Sequence, residues 1–225
     1  MKRIMEMTAA MTVGICLAVM VAGCGNSEDG WFPTKLGDHI FAGNSDELTN
    51  PFFPAKAGDV INFAGTSGDF IGDRYTWTFT AGPSVQGVKT LQEDCTYTVF
   101  GGTPAPAFAS LLAQDVQGNV HILANRNEAG QWVPSGVAAG KAATLIMITL
   151  PATGDVFHPD ESTSGSVIST NEVKPGYPGL LHTRMTTSGD APDVYDDYWL
   201  IGVGQVLSEW TLGDGTGGTW TRLPD

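Results

Sequence analysis

Long apolar runs, cysteine, positive charge and helical periodicity are all scarce in this chain. Its longest uncharged apolar stretch, Met7 to Ala22, is about 16 residues, short of the ~20 that a membrane-spanning helix needs. No basic segment follows it to stop transfer, so it reads as a removed segment rather than a retained span. Lysine and arginine number 11 against 24 aspartate and glutamate, and the basic residues lie singly. Phosphate contacts need clustered cations, which argues against nucleic acid as a partner. Catalytic frames are missing too. His39, His121, His158 and His182 form no H-x-x-x-H or H-E-x-x-H spacing, and no G-x-S-x-G or strand-helix phosphate loop occurs.

What is present begins at the N-terminus. Lys2 and Arg3 precede the apolar stretch, as in the n-region and h-region of a signal peptide. The stretch ends in Val21-Ala22-Gly23-Cys24, which resembles the lipobox of bacterial lipoproteins. That resemblance implies a signal peptide over residues 1–23, lipidation of Cys24, and a membrane anchor made of several acyl chains, which hold far better than one. Gly25 stands where an aspartate would favour inner-membrane retention, so the expected address is the outer membrane. Residues 24–30 are small or charged and read as a solvated tether. Loss of residues 1–23 takes Lys2, Arg3 and Glu6 with it and leaves 9 basic and 23 acidic residues, a formal charge of −14. Such charge keeps an exported domain soluble. It also repels anionic head groups, so lipid must do the anchoring.

Cys16 leaves with the signal peptide and Cys24 carries lipid, so Cys95 has no partner for a disulfide. About 200 residues can bury an adequate core without one. After a Pro-rich lead-in over residues 31–49, residues 50–225 form one domain whose dominant period is two. In Tyr75-Thr76-Trp77-Thr78-Phe79-Thr80 three aromatics face one way and three threonines the other, a half-buried antiparallel strand. Similar runs recur at 60–63, 88–100, 144–150, 166–173, 180–186, 198–203 and 205–212. Residues 111–123 read as two strands joined at Val116-Gln117-Gly118-Asn119. The expected fold is all-β, an antiparallel meander of short twisted strands with glycine and proline at its corners and little helix. Cys95 falls on the same strand face as Tyr97 and Val99 and is expected to be a buried, inert thiol.

A frame F-P-x-K-x-G-D-x-I occurs at Phe32–Ile40 and again at Phe53–Ile61; two copies are too few for a solenoid. Each reads as an extended lead-in, a Gly-Asp turn and a strand start. The segment Asn50-Pro51-Phe52-Phe53-Pro54-Ala55-Lys56-Ala57-Gly58 resembles the opening of a group of exported bacterial lipoproteins with no established activity. Gln114-Asp115-Val116-Gln117-Gly118-Asn119-Val120, Trp132 with Gly136-Val137, Pro151-Ala152-Thr153-Gly154-Asp155 and Gly202-Val203-Gly204-Gln205-Val206 are similar to further motifs of that group. Ala55 and the Val60-Ile61-Asn62 segment depart from its pattern. The resemblance implies a strongly curved antiparallel sheet or partly open barrel and carries no chemistry.

Two acidic clusters deserve weighing as cation ligands. His158-Pro159-Asp160-Glu161 reads as a loop, and Asp193, Asp196 and Asp197 read as a loop before the Tyr198-Trp199 strand. The second has three oxygen donors suited to calcium but no EF-hand spacing. Gly213 to Gly218 reads as a hairpin loop. No metal, cofactor or catalytic residue is assigned, and the chain is not read as an enzyme. The expected role is membrane-anchored ligand binding or envelope assembly, with an apolar or glycan ligand or an envelope protein as partner. Six tryptophans, Trp31, Trp77, Trp132, Trp199, Trp210 and Trp220, are candidates to line a groove. The alternative is a hydrolase whose two carboxylates lie on different strands and leave no spacing signature.

Overall fold

The computed structural model describes residues 33–160 and 162–224; Cys24, Trp31 and the signal segment lie outside the described residues. Seventeen strands and one 3₁₀ turn follow in order: β1 Thr34–Leu36, β2 His39–Phe41, β3 Leu48–Asn50, β4 Phe53–Ala55, β5 Val60–Gly68, β6 Arg74–Ala81, β7 Leu91–Thr98, β8 Ala105–Gln114, β9 Val120–Arg126, β10 Trp132–Pro134, the 3₁₀ turn Gly136–Ala139, β11 Leu145–Met147, β12 Val156–Phe157, β13 Thr163–Lys174, β14 Tyr177–Thr187, β15 Val194–Leu200, β16 Gly204–Thr211 and β17 Gly217–Arg222. Among the described residues no helix is long and apolar enough to cross a membrane.

Thirteen strands make one antiparallel sheet. Its order is β10-β9-β8-β7-β6-β5-β17-β16-β15-β14-β13-β12, with β11 also on β9. The chain therefore meanders outward from β5 to β10 and back inward from β12 to β17, and its first long strand pairs with its last. One apolar cluster draws on both ends of this order, including Met147 on β11, Phe157 on β12, Trp77 on β6 and Trp199 on β15. A flat sheet cannot bring those residues together, so the sheet is strongly curled. Its two ends meet where Leu145 N donates to His158 O at 2.9 Å. The result is a partly open barrel, and the expected class holds.

The sequence alternation explains the wall. On β6, Trp77 and Phe79 are buried while Thr80 is exposed. β8 and β9 break the alternation: Ala109 to Ala113 and Val120 to Ala124 are buried on both faces. The reason is a second apolar layer outside the barrel. Leu36 and Phe41 of the β1–β2 hairpin, with Val137 and Ala138 of the 3₁₀ turn, pack on Ala113 and Leu123. The lead-in is thus a folded pad, and its Gly37 takes the positive φ of +59° that its tight turn requires.

The second copy of the repeated frame does a different job. Asn50 is buried, its Oδ1 accepts the N–H groups of Phe52 and Phe53, and this closes the β3–β4 hairpin. Gln114 Oε1 accepts from Thr49 N and Asn50 N at 2.7 Å, and Asn50 Nδ2 donates to Gly118 O at 2.9 Å. The hairpin is thereby tied to the β8–β9 turn, and Phe53 packs on Trp77 and Trp199, ring centroids 6.2 and 5.7 Å away. β6 and β15 stand on separate parts of the curl, so Phe53 bridges two walls. Gly65 has its own steric role. A Cβ there would sit 1.7 Å from Phe70 O, so glycine lets the following loop fold back and stack Phe70 on Trp220, 5.2 Å between centroids.

Three sequence expectations need correction. Asp196 and Asp197 are not in a loop; β15 starts at Val194, and strand alternation turns the two carboxyl groups to opposite faces. Gly217 and Gly218 belong to β17, leaving a shorter hairpin loop before them. Val99 is exposed beyond the end of β7 and does not share the buried face of Cys95.

Candidate ligand cavity

Inside the curl lies a cavity of about 740 Å³. Twelve of its 26 lining residues are aromatic, among them Trp77, Trp199, Trp210 and Trp220. Four of the six tryptophans are therefore where a groove reading wanted them. Trp132 is not; it sits on edge strand β10 under the Arg126 guanidinium, 4.6 Å from its ring centre. Trp199 Nε1 donates to Thr183 Oγ1 at 2.9 Å and Trp210 Nε1 to Ser208 Oγ at 2.6 Å. The indole N–H groups of Trp77 and Trp220 are buried without an acceptor among the described residues.

Two polar rows cross this apolar interior, and strand register builds both. Glu93 on β7 faces Ser110 on β8, which faces Asn125 on β9. Ser110 Oγ donates to Asn125 Oδ1 at 2.9 Å. In the second row Thr183 on β14 faces Asp197 on β15, which faces Ser208 on β16. Asp197 Oδ1 accepts from both Ser208 Oγ and Gln205 Nε2 at 2.5 Å.

The two acids have unlike surroundings. Glu93 is 3% exposed and its carboxyl makes no hydrogen bond to any described residue. Burial, helped by the charge of Asp94, pushes it up to about 8. Burial also lifts Asp197, to about 7, although the Ser208 and Gln205 hydrogen bonds pull the other way and Asp196 adds to the rise. Burial thus favours the protonated form of Glu93. Asp160, a third lining acid, is held below the usual range: burial raises it, but Ser162 and Thr163 donate to it and outweigh that. Its neighbour Glu161 lies outside the described residues. Among the described residues no lysine, arginine or histidine lines the cavity.

The remaining candidates fall outside it. Asp193 takes Gly213 N and Tyr195 Oη, while Asp196 takes His182 Nε2 and a two-pronged bond from Arg184. The three aspartates do not converge on one cation. Cys95 is a free thiol, buried as expected and pushed up to about 12 by burial. His39, Asp115 and His121 do converge behind the outer pad, their ligand atoms all within 4.8 Å. His121 Nε2 lies 2.9 Å and His39 Nδ1 3.3 Å from Asp115 Oδ2. This trio has the donor set for a divalent metal, though His121 Nδ1 is buried with no acceptor, where a metal-bound imidazole usually has a partner.

Sequence reasoning passed over Glu93, yet the signal was there. Alternation in Leu91-Gln92-Glu93-Asp94-Cys95 puts a glutamate on the face of a leucine and a cysteine, which is where an unpaired acid is costly. Asp197 lies between Tyr195 and Trp199 in the same way. The His39–His121 meeting had no local signal, because 82 residues separate them.

No family model matches the chain, and no curated protein matches it. Among solved structures, an exported protein of Bacteroides fragilis NCTC 9343 with a YmcC-like fold superposes over 77% of this chain and 99% of its own, with a TM-score of 0.43 and 11% identity. A likeness that loose carries no argument about role.

Proposed function

We propose that the chain is a membrane-anchored envelope lipoprotein whose curled sheet binds a small molecule, and that it is not an enzyme. The supporting observation is the aromatic-lined cavity of about 740 Å³, within the range of ligand pockets. The Val21-Ala22-Gly23-Cys24 lipobox supports lipidation at Cys24 and export; Gly25 supports the outer membrane as destination. Acyl chains would hold the chain at the bilayer, and the acidic tether and body would stay in solution.

Native mass spectrometry of the full lipidated chain, released from nanodiscs, tests the binding reading. A stoichiometric adduct beyond the lipid anchor, lost when Trp77 and Trp220 are both replaced by alanine, is the expected result. A clean apo mass, with tryptophan emission unchanged across an apolar and glycan ligand panel, would overturn it in favour of envelope assembly. One observation favours the hydrolase alternative: Glu93 and Asp197 line the same space. Such a site needs one ionised and one protonated carboxyl group, and the only lining acid held low, Asp160, spends its oxygens on Ser162 and Thr163. Turnover of any glycoside or ester substrate by the purified chain would reverse that ranking.

A further inference from the structure

The binding reading leaves the ligand's chemistry open, and the cavity wall narrows it. An apolar cavity meant for a fatty acid, a phosphate ester or another anion needs a cationic or strongly donating residue to hold the head group. Among the described residues the lining has three acids and no base, and its unpaired donors, the indole N–H groups of Trp77 and Trp220, carry no charge to hold an anion. Two of the acids already have partners: Asp160 is held by Ser162 and Thr163, and Asp197 accepts from Ser208 and Gln205. Glu93 has none among the described residues, although it is buried and lines the cavity. A buried polar group without a partner is costly unless something supplies one. The tryptophan and tyrosine faces around the same space, Tyr75, Trp77 and Tyr97 among them, attract cations through their ring quadrupoles.

We infer that the cavity binds an organic ammonium compound, an apolar or aromatic body carrying one cationic nitrogen, and that this nitrogen seats on the Glu93 carboxyl group. The inference rests on the binding reading above. Seating exchanges one cation for another. Free Glu93 holds a proton at neutral pH; when the ammonium arrives, the carboxyl O–H bond breaks, the proton leaves to solvent, and the carboxylate remains paired with the ammonium. The titratable groups that act on Glu93 are Asp94 beside it on β7, Cys95 on the same strand and Tyr75 on β6, with Asp197, Tyr195 and Asp160 elsewhere on the lining. Tyr75, Cys95 and Tyr195 are all raised by burial, so they stay neutral here; Asp197 is raised too but is already engaged by Ser208 and Gln205, which leaves Glu93 as the group that gives up the proton.

The probes are three compounds with one body: 4-phenylbutylamine, 4-phenylbutanol and 4-phenylbutyrate. Calorimetric titration of the full chain in nanodiscs, corrected with empty nanodiscs, should show the amine binding at least tenfold tighter than the alcohol and the carboxylate. At pH 7, repeating the amine titration in buffers of different ionisation enthalpy should show close to one proton released. Glu93→Gln should remove the tenfold preference while the alcohol's affinity stays within about twofold; Asp197→Asn should keep it. Equal binding of amine and alcohol would overturn the ammonium inference and leave the cavity reading standing. Binding of none of the three would sink both. Amine binding without proton release would overturn the Glu93 seat on the native protein, whether or not the variants fold.

Discussion

Asp115 and Glu93 are both almost wholly buried carboxyl groups, yet they are pushed in opposite directions. Asp115 sits behind the outer pad, where Gln117 N, Asn119 N, Asn119 Nδ2 and His121 Nε2 surround its two oxygens. Burial raises it, but these hydrogen bonds win and hold it far below the usual carboxylate range. Glu93 faces the cavity with no such donors and rises to about 8. The difference teaches that burial alone does not decide the charge of an acid; the donors supplied by neighbouring strands do. It also separates two uses of a carboxyl group. The outer one organises the β8–β9 turn, and the inner one is left open on the cavity.

The largest expected effect breaks the outer member. Asp115→Ala strips the turn of its acceptor and leaves several buried donors orphaned, so a loss of about 3–5 kcal/mol is expected in urea unfolding. Glu93→Gln should go the other way. At pH 9 the native protein must carry an ionised or unfavourably protonated Glu93, which the variant avoids; a gain of roughly 2 kcal/mol is expected by the same measurement. A destabilised Glu93→Gln would mean that the inner carboxyl has a structural duty after all.

The pH dependence sharpens the contrast. Asp115 is lowered on folding, so its contribution is present above about pH 4 and is lost as pH falls toward its folded value. Glu93 is raised on folding from 4.5 to about 8, so its contribution is present below about 4.5 and is lost as pH rises through 8. The stability of the native protein relative to Glu93→Gln should therefore fall from pH 5 to pH 8, by at most ~1.4 kcal/mol per pH unit, and level off above. A difference profile that is flat over that interval would refute the assignment.

These contrasts also mark how far the sequence could be read. The strand at 75–80 was legible because Tyr75, Trp77 and Phe79 alternate with threonines, and the hairpin around Gly118 because its turn chemistry is local. The meander followed from many short strands with glycine corners, while its curl was implied only by the family resemblance. What stayed hidden is set by long-range pairing. β17 follows a glycine-rich loop and itself begins Gly217-Gly218, so propensity is silent there; only its pairing with β5 makes it a strand. The outer pad is similar, since nothing in Thr34 to Phe41 announces that Ala113 and Leu123 need covering. The buried acids lie between these cases, visible in the alternation once strand limits are right.

The smallest expected effect concerns His39, the outer member's remaining neighbour. Its side chain is 25% exposed and its Nδ1 stands 3.3 Å from Asp115 Oδ2, the longest of the contacts to that carboxyl group. Asp115 keeps its other donors when His39 is removed, and solvent replaces part of the lost contact. His39→Ala should therefore cost less than about 1 kcal/mol, against several for Asp115→Ala. The same variant tests whether the trio can act as a metal site. If zinc raises the melting temperature of the native chain and not of His39→Ala, a metal draws on all three ligands, and His39 matters more with the ion than without it. If zinc shifts neither, the lone buried Nδ1 of His121 is decisive, and the outer carboxyl group serves the turn alone.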